Sequence, residues 1–173
     1  GLGVLHMSHA TRIQGSLRLT SIDVDGTVTN QSIANRIHRF PTTDTLGTGL
    51  FIDGTTAIVC YHNQLADTLN VATRTNGQWR IDIVARNVAG NGCAVTRSGN
   101  ETLVLYHGNN QLMAAAKIGN GQWTTRVVDA GDGNVGELPN LARSGAGQLA
   151  VAYRDTANGR LRVAFRNGGQ WIV

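Results

Sequence analysis

One phrase, written four times, sets the terms on which this chain can fold. Its cleanest copy runs from Leu149 to Trp171 and reads LAVAYRDTANGRLRVAFRNGGQW. Two apolar runs flank an Asn-Gly turn, and a Gly-rich turn then leads into tryptophan, which reads as strand, hairpin, strand and the start of another strand. Thr102 to Trp123 and Ala57 to Trp79 repeat it, and a worn copy begins at Gly3. Tyr61, Tyr106 and Tyr153 close the first run, 45 and 47 residues apart, with His6 in their place in the worn copy. Leu17, Leu69, Leu112 and Leu161 open the second run. Trp79, Trp123 and Trp171 open the third, 44 and 48 residues apart, with Val28 in the first copy.

A period in the mid-forties built of short strands points to propeller blades, and no segment carries a helical apolar spacing over a helical length. The expected fold is therefore all-β, a β-propeller of four-stranded antiparallel blades. The approximate units are 1–36, 37–87, 88–131 and 132–173. Innermost strands are expected at Cys93 to Asn100 and Asn140 to Gly147. The apolar run ending at tyrosine comes second, and its continuous character suits a strand covered on both faces. The third strand carries Ala72, Ala115 or Ala164 at one position, where a small residue lets the next blade approach. Leu161 and Val163 are expected to be buried. The longest connection, Asn35 to Gly49, is irregular and is a place where loops on a rigid ring carry function.

With 173 residues, 41% hydrophobic and 15% charged, the chain can bury a real core and is not disordered. No run of 18 apolar residues marks a membrane helix. The net charge of +4 rests on arginines spread one or two to a strand. That distribution suits strand edges and inter-strand pairing, not nucleic acid. Cys60 and Cys93 form no disulfide framework; two buried free thiols are the plainer reading, a bridge between neighbouring units the alternative.

No nucleophile elbow, P-loop, His-Glu-x-x-His or zinc-spaced cysteine pair occurs. The candidate ligand-binding residues are those that recur. Tyr61, Tyr106 and Tyr153 are followed by His62, His107 and Arg154 at strand ends, which in a propeller converge on the axis. Trp79, Trp123 and Trp171 read first as anchors between blades, each with its indole N–H on a surface partner, and second as platforms for a sugar ring. Asp23, Asp25, Asp129 and Asp132 lie in Gly-containing turns. Asx-turns explain them most simply; Ca2+ held near Asp129 and Asp132 is the alternative, and no other cofactor is expected. Only Glu101 and Glu137 are glutamates, which gives a carboxylate-pair hydrolase few candidates.

The pattern G-x-L-x-V-A-Y-x-D, then N-G-x-L-x-V-A, then G-x-W, resembles the propeller repeats of secreted bacterial proteins. It is carried by Gly147, Leu149, Val151, Ala152, Tyr153, Asp155, Gly159, Leu161, Val163, Ala164, Gly169 and Trp171. The resemblance implies the fold and an extracellular or periplasmic setting, not one activity. The layout is similar to lectin propellers, but the Ser-x-Asp-x-Gly-x-x-Trp box of sialidase-like blades is missing. The expectation is a non-catalytic binding or assembly module. Two alternatives stand beside it, a carbohydrate-binding lectin and a subunit of a secreted enzyme whose site lies on the rim near His62, His107 and Arg154. Because the unit at Gly3 has no inner strand of its own, a protein partner or further copies are expected to complete the ring against Gly1 and Val173. A glycan ligand is possible on this reading; nucleic acid and a membrane span are not expected.

Overall fold

The computed structural model describes residues 4–11, 15–38, 47–88, 90 and 92–173. Fifteen strands form four separate antiparallel sheets, one after another along the chain. Blade one holds β1 (Leu5–Ala10), β2 (Leu17–Ile22) and β3 (Val28–Ala34). Blade two holds β4 (Gly49–Asp53), β5 (Thr56–Asn63), β6 (Thr68–Thr75) and β7 (Gln78–Arg86). Blade three holds β8 (Cys93–Ser98), β9 (Glu101–Gly108), β10 (Gln111–Ile118) and β11 (Thr124–Asp129). Blade four holds β12 (Val135–Arg143), β13 (Leu149–Asp155), β14 (Arg160–Asn167) and β15 (Gln170–Ile172). Within each sheet the strands lie in sequence order, so every blade is a meander, and the chain is a partial β-propeller. The inner strands β4, β8 and β12 meet in succession around the axis.

The core lies in the seams between blades. Ile58, Cys60, Leu69 and Val71 of blade two meet Val95, Val104, Tyr106 and Ala115 of blade three. Leu103, Leu105, Leu112 and Ala114, on the other face of blade three, meet Val151, Tyr153 and Ala164 of blade four. Leu17 and Leu19 of blade one meet Ala57, Val59, Tyr61 and Ala72. Odd and even residues of one strand thus serve different seams, which is why the second strands read as continuous apolar runs. The recurring alanines sit in these seams as expected.

Three expectations need correction. Cys60 and Cys93 are bonded to each other, joining β5 of blade two to β8 of blade three. The second strand of blade two lies against the inner strand of blade three in that seam, a proximity that their separation in sequence conceals. Leu161 and Val163 are 76% and 39% exposed, because none of the described residues covers that face of blade four. In blade one it is His9, not His6, that stands in the tyrosine position. His9 pairs with Arg18 just as Tyr61 pairs with Asn70, one step from Leu17 and Leu69 in their respective ladders. Apolar pattern alone cannot fix a register in a worn copy. Val28 does replace tryptophan, pairing with Ile22 as Trp79 pairs with Arg74. Most of the Asn35 to Gly49 connection lies outside the described residues.

Candidate functional site

The second strands β5, β9 and β13 all run toward one face of the propeller, and the inner strands start from it. His62, His107 and Arg154 stand at these strand ends, in register with Leu69, Leu112 and Leu161. The structure therefore brings the three to one rim. The tryptophans are at the opposite face, at the start of the outer strands, so the sequence candidates divide into two groups that cannot share a ligand. The three tyrosines lie between the two groups, buried in the seams.

The rim is built around a residue that the sequence reading named only as one of two glutamates and did not place at the site. Glu137 lies on the inner strand β12, directly across the ladder from Arg154. The ladder is irregular on both sides of it. Gly136 has φ 98° and Leu138, with a full side chain, has φ 49°. A Cβ on Gly136 would stand 2.6 Å from the backbone of Leu112, so blade four can approach blade three there only through glycine. Bulges of this kind re-aim side chains and gather at functional sites. Here the bulge delivers Glu137 to a set of polar partners. Asn134 Nδ2 donates to Glu137 Oε1 at 3.0 Å, and Thr156 Oγ1 donates to Oε2 at 2.8 Å. His107 Nε2 lies 2.7 Å from Asn134 Oδ1. With its amide NH2 committed to Glu137, Asn134 presents an acceptor, so His107 carries a proton on Nε2. The result is a relay from His107 through Asn134 to Glu137 and Thr156.

The bond from Thr156, then that from Asn134, with the charges of His107 and Arg154 behind them, holds the Glu137 carboxyl below its usual pKa. It is an anion at neutral pH. Toward the axis, the equivalent inner-strand positions are Gly47, Gly92 and Leu138. A Cβ on Gly47 would stand 2.7 Å from Gly92 Cα, so the inner backbones crowd together. Leu138 leaves its apolar side chain half exposed beside Glu137. His62 is buried, neither ring nitrogen finds a well-placed partner, and burial pushes its pKa down against the pull of the Val88 and Gly92 backbones. Its ring packs against Gly90 in the connection into blade three.

Asp129 is fully engaged inside the three–four seam. Tyr153 Oη donates to its Oδ2 at 2.6 Å, Arg162 Nη1 lies 3.0 Å from the same oxygen, and Gly131 N donates to Oδ1 at 2.9 Å. Burial, then the Asp129 partner, raises the Tyr153 hydroxyl well above the usual tyrosine range. Asp132 is exposed. Asp23, Asp25 and Asp129 all close short turns on backbone N–H groups. No group of three or more His, Cys, Asp or Glu side chains is arranged for a metal among the described residues.

At the far face each seam opens a groove. The two–three groove, about 410 Å3, is lined by Trp79, Trp123, Asp82 and Lys117. Lys117 Nζ is 2.6 Å from Asp82 Oδ2 and 5.7 Å from the centre of the Trp123 ring. That cation occupies the neighbourhood a sugar would need for stacking, and each tryptophan packs on a seam cluster. The expected partner for each indole N–H is not there: all three are buried with no protein acceptor.

No protein-family model matches this chain. No curated protein matches it either. Two solved structures share the fold. One is an α-L-arabinofuranosidase from Fusarium graminearum in complex with an iminosugar inhibitor, 12% identical, with a TM-score of 0.56 over 97% of this chain and 60% of that one. The other is a Penicillium chrysogenum α-L-arabinanase complexed with arabinobiose, 10% identical, with a TM-score of 0.60 over 97% of this chain and 61% of that one. The chain thus spans about three-fifths of the length of each. Identity this low shows the fold alone. The fold-mates are nonetheless glycoside-cleaving enzymes, which overturns the expectation of a non-catalytic binding or assembly module.

Proposed function

We propose that this chain forms the larger part of a glycoside-hydrolysing propeller, with its site on the axial rim at Glu137, Arg154 and His107. The observation that carries the reading is Glu137 itself. It is an ionised carboxylate placed by a bulged inner strand, oriented through both oxygens, on the rim where ligands of propellers converge. Its lowered pKa suits the carboxylate that acts as base or nucleophile, whereas the general acid needs a raised one. Arg154 opposite it offers a fork of donors to sugar hydroxyls, and Leu138 offers an apolar edge. Two carboxyls of the three–four seam, Asp129 and Asp155, are buried around Arg162 and are not free to act as that acid. On this reading the acid comes from blades beyond the four described.

The substrate class we infer is a furanoside of L-arabinose, supported by the two enzymes that share the fold. The Cys60–Cys93 bridge supports an oxidising setting outside the cytoplasm. The test has two parts. Titration with arabinobiose, followed by NMR, is expected to shift signals of Glu137, Arg154 and Leu138. In the complete protein, Glu137→Gln should lower arabinoside hydrolysis by about 10²–10⁴-fold and leave the melting temperature unchanged. Shifts confined to the tryptophan face, or a Glu137→Gln protein of full activity, would refute the proposal.

A further inference from the structure

Every seam in this molecule joins two unlike faces. One face gives aliphatic residues from the second and third strands: Ile58, Cys60, Leu69 and Val71 in blade two, and Leu103, Leu105, Leu112 and Ala114 in blade three. The other face receives them with valine, tyrosine and alanine, as Val59, Tyr61 and Ala72 do, and again Val104, Tyr106 and Ala115. By strand register the giving face of blade four consists of Ala150, Ala152, Leu161 and Val163, followed by Phe165. Leu161 corresponds to Leu69 and Leu112, both fully buried, yet it is 76% exposed, and Phe165 is 58% exposed. Adjacent apolar side chains so exposed mark an interface, not ordinary surface.

We propose that this face is the docking surface for one further four-stranded blade, whose second strand presents Val-x-Tyr and whose third strand presents alanine opposite the valine. The three observed seams define that occupant, since each covers the same register positions with the same residue types. A second copy of this chain fits less well. Its free receiving face is that of blade one, where the register puts Met7, His9 and Thr20 in the places of valine, tyrosine and alanine. A two-fold pairing of blade four with itself would set like face on like face, an arrangement that none of the three observed seams uses. The fold-mates, of which this chain spans 60% and 61%, have length for such a blade. The inference stands on packing and is independent of the catalytic reading.

The two native cysteines are bonded to each other, so Leu161→Cys introduces a single reactive thiol. The probe blade is a copy of residues 47–88 with its own Cys60→Ala, so that no second thiol is added; it carries Val59, Tyr61 and Ala72 and is joined after Val173 by a flexible linker. Maleimide labelling of Leu161→Cys is expected to slow at least tenfold in the extended protein. The protection should be lost when the appended copy carries Tyr61→Asp. Equal labelling rates with and without the appended blade would overturn the proposal. So would protection that grows with concentration in the unextended chain, which would assign the face to a second copy. As an independent measurement, the unextended chain should bind an apolar dye, and Leu161→Glu with Phe165→Glu should reduce that binding at least twofold without lowering the melting temperature. Absence of dye binding would also overturn it.

Discussion

Blades three and four carry the same repeat in different surroundings. In blade three, Leu112 is fully buried, because blade four lays Val135, Val151 and the backbone of Gly136 over that face. In blade four the corresponding Leu161 stands in solvent, although sequence and strand register are equivalent. A repeat motif therefore specifies which face a residue points to, while the neighbouring blade decides whether that face is core. Truncating the two leucines sharpens the contrast most. Leu112→Ala should cost about 3–5 kcal/mol, since the rigid strands around it cannot collapse onto the space. Leu161→Ala should cost under about 0.5 kcal/mol in the isolated chain. Denaturant midpoints of the two variants measure both, and equal losses would show that blade four is already covered.

The seams differ as well. Both the two–three and the three–four seams are crossed by ion pairs, Lys117 to Asp82 in the first and Arg166 to Glu101 in the second, but the disulfide belongs to the two–three seam. Cys60 and Cys93 close a loop with a separation of 33 residues. Replacing both by serine should lower stability by about 2–4 kcal/mol, through the restored freedom of the unfolded chain. Calorimetry under non-reducing conditions would read it. The variant should remain a folded propeller by circular dichroism, because the apolar residues of that seam stay in place.

Much of this was legible beforehand. Period, the meander within a blade, the inner strand at Cys93 and the alanine position follow from spacing, since each blade repeats the same local physics; the inner strand of blade four, expected at Asn140 to Gly147, instead runs over Val135–Arg143. The rim histidines and Arg154 were legible for the same reason. Glu137 was not, because it occurs once: its position depends on a bulge with a left-handed Leu138, and no local signal in VGELPN announces that. The disulfide stood only as the alternative to free thiols, because the adjacency of β5 and β8 is a property of the ring and not of either repeat. The exposure of Leu161 escaped because burial was argued from the repeat, when it belongs to the pair of repeats.

Within the three–four seam, Tyr153 is bonded to a charged partner whereas Tyr61 has only Asn70 Nδ2 at 3.3 Å. Tyr153→Phe should cost about 1–2 kcal/mol and Tyr61→Phe less than about 1 kcal/mol. Burial and Asp129 raise the Tyr153 pKa in the folded protein, so the fold favours the neutral phenol. Its contribution is complete below the unfolded tyrosine pKa of about 10 and is lost as pH rises beyond it. Urea midpoints at pH 8 and pH 11 should converge between wild type and Tyr153→Phe at the higher pH. A gap that does not narrow would mean that the hydroxyl is not held neutral by its seam.

The smallest effect expected is at the outer end of the same seam, where Arg166 of blade four grips Glu101 of blade three through two hydrogen bonds of 2.9 and 2.8 Å. Both side chains keep partial contact with solvent, so water screens the pair and Glu101→Gln should cost less than about 1 kcal/mol. The sign of its pH dependence separates it from the tyrosine. The hydrogen bond from Arg166 lowers the Glu101 pKa against a weaker opposing effect of burial. Stability from this pair is therefore present above the unfolded glutamate pKa, and it is lost as pH falls through the lower folded one. The acid limb of the stability curve should be shallower in Glu101→Gln than in wild type, with the two curves parallel above pH 6 and closing on each other toward pH 3. Sodium chloride at 1 M should shrink the difference at neutral pH, because a screened surface pair weakens with salt. If Glu101→Gln changed the acid limb no more than Arg80→Gln, an exposed pair on blade two, the bidentate contact would contribute nothing particular to the joint between blades three and four.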